Sequence, residues 1–81
     1  MAAVRLDDKP QLGPRRLEVL DLLARGRSYA EIGDALGMSV NTVRFHVREI
    51  YGRLGVGTKV EAVTVATERG LLKAPRASRS Q

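Results

Sequence analysis

A helix stop and a helix start share three residues in this chain, and few folds can use both. Leu36-Gly37 reads as the end of an amphipathic helix, with glycine in the left-handed position after the last turn. Ser39-Val40 reads as the start of the next, the serine hydroxyl capping backbone N–H groups that have no partner within the helix. Two helices joined by only Gly37, Met38 and Ser39 must cross steeply, which is the geometry of a helix-turn-helix. Gly33 offers the small side chain that such a close crossing needs. It costs helix propensity, about 1 kcal/mol relative to Ala, so packing or function has to explain it.

The flanking segments carry the same punctuation. Gly13-Pro14 opens a first helix, with proline where its missing N–H is harmless, and the helix runs to about Arg25 before Gly26. Val19, Leu20 and Leu23 form its inner stripe, while Arg15, Glu18, Asp21 and Arg25 fall largely on the wet side. Ser28 and Glu31 have capping-box spacing and start the second helix near Tyr29, with Ile32, Ala35 and Leu36 as its apolar set. The third helix spans Val40 to about Leu54. After the break at Gly55-Val56-Gly57, Thr58 and Glu61 repeat the capping-box spacing for a fourth helix, which ends near Arg69 before Gly70. Ala62, Val63 and Ala66 make its inner face, and Leu71 and Leu72 fold back on its last turn. The expectation is an all-α, compact four-helix bundle over residues 12–72. Residues 1–11 read as a flexible lead-in or linker, and 73–81 as a disordered basic tail.

Composition narrows what such a bundle can do. A chain of 81 residues buries only about 60% of its unfolded surface, and with two Tyr, one Phe and no Trp its core is built from Leu, Val, Ile and Ala. That leaves little room for a substrate pocket. Fourteen Lys and Arg against nine Asp and Glu give a net charge of +5, which favours a polyanionic partner. Nucleic acid, an anionic membrane surface and an acidic protein all satisfy that charge, so position has to decide. There is no Cys for a disulfide or thiolate site. No apolar run approaches the roughly 18 residues that span a bilayer, and no signal-peptide pattern opens the chain. A soluble, cytoplasmic protein with no membrane contact is expected.

The third helix has two faces. At about 100° per residue, Val43, Val47, Ile50 and Leu54 fall in one narrow sector, with Asn41, Arg44, Phe45 and Arg48 nearly opposite. An α-helix fits the major groove of DNA, where Arg bonds guanine O6 and N7, Asn bonds adenine, and an apolar group touches the thymine methyl. This face carries all three types. Solvated helix faces also carry Arg and Asn without binding anything, but Phe45 is harder to explain that way. It is either covered by a partner or packed at the edge of the core.

His46 lies between the two faces, an edge residue and a candidate for phosphate contact. With no Cys and no second His in the chain it completes no metal site, and no metal or cofactor is expected. Ser28, Ser39 and Thr58 are accounted for as helix caps, no nucleophile–base set stands out, and no Gly-rich phosphate loop occurs, so an enzyme is not expected. Helix N-termini favour anions. Thr58-Lys59, Tyr29 and Thr42 stand at three of them, each a candidate for phosphate contact or for plain capping and packing.

From Leu12 to Leu72 the chain closely resembles the LuxR/NarL/GerE type of helix-turn-helix domain. The likeness is carried by Glu18-Val19-Leu20, Glu31-Ile32 with Leu36-Gly37, Thr42-Val43 with His46, and Leu54-Gly55-Val56 before the last helix. The resemblance implies the DNA-binding domain of a bacterial transcription regulator that binds as a homodimer, often paired through its fourth helix, here Thr58 to Arg69. Members commonly sit behind a phosphoacceptor receiver, as in response regulators, or behind a ligand-binding domain. The family's base-reading and phosphate-contacting positions fall on Asn41, Arg44, Phe45 and Arg48, and Lys59 matches a phosphate-contact position. Departures are Gly13 in place of a Thr or Ser cap, Arg16 where Glu is common, Gly33 for the usual Ala, Gly52 for a charged residue, and Phe45 for a smaller Val or Thr. The expected function is sequence-specific recognition of double-stranded DNA with the third helix in the major groove. The alternative is a protein-interaction module docking an acidic partner in the transcription machinery, RNA polymerase included, through the same face. A sigma-factor-like promoter reader is a further possibility, and the fourth helix argues against it.

Overall fold

The computed structural model describes residues 12–73, and it arranges them as four helices: α1 (Pro14–Ala24), α2 (Tyr29–Leu36), α3 (Val40–Leu54) and α4 (Lys59–Glu68). The all-α expectation holds for every regular element among them. The lead-in expected over 1–11, and the tail beyond Lys73, lie outside the described residues.

Each helix begins as its sequence dictates, with one refinement. Ser28 and Glu31 form the complete reciprocal box: Ser28 Oγ accepts the Glu31 N–H at 3.1 Å, and Glu31 Oε1 accepts the Ser28 N–H at 2.9 Å. At α4 Thr58 Oγ1 accepts the Glu61 N–H at 3.2 Å, but the Glu61 carboxylate reaches one residue further upstream, to the Gly57 N–H at 3.0 Å. Gly13 has no side chain with which to cap α1; its carbonyl accepts the Leu17 N–H at 3.0 Å, and Pro14 removes one unpaired donor.

The turn between α2 and α3 is tighter than helix spacing alone conveys. Gly37 takes the left-handed conformation (φ 71°, ψ 37°), and the Met38 N–H curls back to the Gly33 carbonyl at 2.9 Å. The Met38 carbonyl is thereby pressed against α2, where a Cβ on Gly33 would stand 2.5 Å from its oxygen. What demands glycine is therefore the backbone of the turn; the nearest α3 side-chain atom, Val43 Cγ2, would be 3.7 Å away, an ordinary contact.

The core takes Val19, Leu20 and Leu23 from α1, Ile32 from α2, Val43, Val47, Ile50 and Leu54 from α3, and Ala62 and Ala66 from α4. Two inner-face expectations need correction. Ala35 is exposed, because the buried sector of α2 is centred between Ile32 and Gly33 with Tyr29 and Leu36 beside it, and Ala35 falls about 100° off that centre. Val63 is only half-buried, since the two alanines already bring α4 close. Leu71 and Leu72 do fold back, their N–H groups meeting the Ala66 carbonyl at 2.8 and 3.3 Å. Helices α1 and α3 each touch the other three, so α3 is held on its inner side along its whole length.

Candidate nucleic-acid interface

Four core residues on one side of α3 leave its other side to solvent. Asn41, Thr42, Arg44, Phe45 and Arg48 are all exposed, Phe45 to 51%. Arg44 and Arg48, four residues apart, stand one turn from each other on this side. The helix is well anchored at both ends. At its start Ser39 Oγ accepts the Thr42 N–H at 3.1 Å, and the Ser39 hydroxyl donates to Thr42 Oγ1 at 3.0 Å, which leaves the Thr42 proton to donate elsewhere. At its end Gly55 takes φ 72° and the Val56 N–H returns to the Tyr51 carbonyl at 3.0 Å.

Arg44 is held on two sides. Its Nη1 donates to Asn41 Oδ1 at 3.2 Å, and its guanidinium carbon lies 5.8 Å from the centroid of the Tyr29 ring on α2. Tyr29 is half-buried against the core, next to Tyr51, whose hydroxyl is pushed above the usual tyrosine range first by burial and then by Tyr29. Phe45 leans on His46, ring centroids 5.9 Å apart and planes tilted by 58°. His46 sits at the edge of the helix, half-buried, with Nδ1 enclosed and without a hydrogen-bond partner.

The structure thus brings Asn41, Arg44 and Tyr29 together, and places Thr42, Phe45, His46 and Arg48 along the same helix. Thr58 and Lys59 stand at the head of α4, the Thr58 hydroxyl engaged in its cap and Lys59 exposed. An ion pair that sequence reasoning missed supports the arrangement: Arg16 Nη2 on α1 lies 3.9 Å from Glu49 Oε1 on α3. The pairing offsets the one carboxylate adjacent to Arg48 and ties the helix to α1. Arg16 was noticeable in the sequence only as an unexpected residue, since nothing local indicates its partner.

A short capped helix and a glycine turn presenting a second helix, basic and aromatic on its outward side, define a helix-turn-helix DNA-binding domain. Residues 10–66 match the GerE group, bacterial regulatory proteins of the luxR family, and the chain belongs to that family. Among its relatives are the transcriptional activator protein EsaR of Pantoea stewartii subsp. stewartii, 38% identical over 88% of this chain, and the transcriptional activator protein CarR of Pectobacterium carotovorum subsp. carotovorum, 41% identical over 79%. The chain spans only 28% and 26% of those proteins. The crystal structure of the response regulator ChrA, of a heme-sensing two-component system, superposes over 88% of this chain and 36% of its own with a TM-score of 0.72 at 32% identity. No helix among the described residues is long and apolar enough to cross a membrane.

Proposed function

We propose that this chain recognises double-stranded DNA by sequence, as a homodimer paired through α4 (Thr58 to Arg69), with α3 in the major groove of each half-site. One observation carries the reading: Arg44, Arg48, Asn41 and Phe45 face outward together on a helix whose opposite side is fixed in the core. The groove geometry then assigns Arg44 and Arg48 to base edges or a nearby phosphate, Asn41 to a base edge, and Phe45 to a thymine methyl. Thr42, His46, Thr58 and Lys59 serve the phosphate backbone, which supplies affinity and register but no sequence information. Pairing through α4 is supported by Val60, exposed to 72%, and by Val63, Thr64 and Thr67, which share its side at i+3, i+4 and i+7. The working unit is residues 12–72, and the setting is the cytoplasm, where DNA is met.

Selection of bound duplexes from a random pool tests this directly. The expected result is a two-fold symmetric site with half-sites about one helical turn apart. On the selected duplex, Arg48→Ala weakens binding by about 1–3 kcal/mol with relaxed preference at one position if Arg48 reads a base, or evenly across sequences if it holds a phosphate. Unchanged binding in both Arg44→Ala and Arg48→Ala removes the assignment. Equal competition by selected and random duplexes at physiological salt favours instead an acidic protein, RNA polymerase included, as the partner of this face.

A further inference from the structure

The contact between Arg44 and Tyr29 joins the recognition helix to the one before it. Arginine has a long, rotamer-rich side chain, and ordering it at the moment of binding opposes association; a side chain already confined in the free protein avoids that loss. Arg44 is confined twice, by Asn41 Oδ1 on its own helix and by the Tyr29 ring face 5.8 Å away on α2. The two restraints differ in what they leave available. A guanidinium has five N–H donors, and attraction of its charge to a ring face engages none of them in a directed bond. The ring is itself a firm support: Tyr29 is the first residue of α2, directly after the Ser28 box, and it is half-buried against the core.

We propose that Tyr29 is a positioning residue for Arg44, its ring face holding the guanidinium where it can meet a base edge, and that its hydroxyl is not a phosphate ligand. This rests on the DNA-binding reading above. Of the two roles the sequence left open for Tyr29, phosphate contact and packing, the proposal takes packing with a functional consequence.

A double-mutant cycle on the full chain tests it. Tyr29→Phe and Tyr29→Leu are each made in the native and Arg44→Ala backgrounds and titrated against the selected duplex, against single-base variants of it, and over a range of salt. Tyr29→Phe is expected to match the native protein. Tyr29→Leu is expected to lose about two- to five-fold in affinity, the value of an exposed cation–π contact. Its discrimination should fall at the same base pair that Arg44→Ala affects, its salt slope should stay unchanged, and in the Arg44→Ala background the loss should vanish. An equal loss in Tyr29→Phe with the salt slope shallower by about one makes the hydroxyl a phosphate ligand and overturns the proposal. So does a Tyr29→Leu loss that persists without Arg44. Should Tyr29→Leu fail to fold, the Arg44 side-chain proton shifts of the native chain decide: a ring-current displacement kept in Tyr29→Phe supports the contact, and its absence overturns it. Native protein that discriminates no duplex yet keeps that displacement sinks the DNA reading, and with it a role for Tyr29 in base recognition, while the contact itself stands.

Discussion

Phe45 leaves a large apolar ring 51% exposed one residue from Arg44, tilted against the ring of His46. In a major groove that ring finds an apolar partner in a single atom group, the methyl of thymine. Replacing thymines of the selected duplex one at a time by deoxyuridine removes that methyl alone. At one position the native protein is expected to bind less tightly by about 0.8 kcal/mol, the value of one buried carbon, and Phe45→Ala is expected to show no difference there. Indifference of the native protein at every position sinks the assignment. The outward residues of α3 were legible because a fixed angle per residue converts position into direction. The residues that steady them were not. Tyr29 beside Arg44 and Arg16 beside Glu49 each join two helices, and periodicity within one helix says nothing about which face of another it will meet.

At the level of elements, two glycines within helices make opposite predictions. A Cβ on Gly52 meets nothing within 4 Å, so Gly52→Ala is expected to raise stability by about 0.5–1 kcal/mol, seen as a melting point several degrees higher. On Gly33 the same carbon would press on the Met38 carbonyl oxygen at 2.5 Å, and that oxygen belongs to backbone. Gly33→Ala is therefore expected to lose about 1–3 kcal/mol despite its better helix propensity, the penalty for overpacking a tight contact, and Gly33→Val at least as much. Thermal unfolding of the three variants separates these outcomes; a Gly33→Val as stable as native overturns the account of the turn. Helix starts and stops were legible from Ser28, Ser39, Thr58, Gly37 and Gly55, because caps are local chemistry. The exposure of Ala35 was not. On a helix of eight residues, the turn that follows shifts the buried sector, and no three-residue spacing records the shift.

For the whole molecule the outer side of α4 is the testable surface. Val60→Asp alters a side chain 72% exposed, so folding should be unaffected. Under the dimer reading it is expected to give a monomer by sedimentation, and to bind a full site no better than a half-site. A variant that still occupies both half-sites cooperatively excludes α4 as the pairing element. The four-helix outline and the family could be read from the chain, since caps, glycine stops and apolar stripes all agree on one arrangement; how two copies meet could not, because α4 is apolar on both sides. The division of α3 between an anchored side and an open one also bears on how such a regulator changes over generations. If the open side reads DNA as proposed, its letters can be exchanged singly without disturbing the scaffold, so a duplicated copy could drift toward new operators, and a regulatory network could be rewired, while the protein went on folding as before.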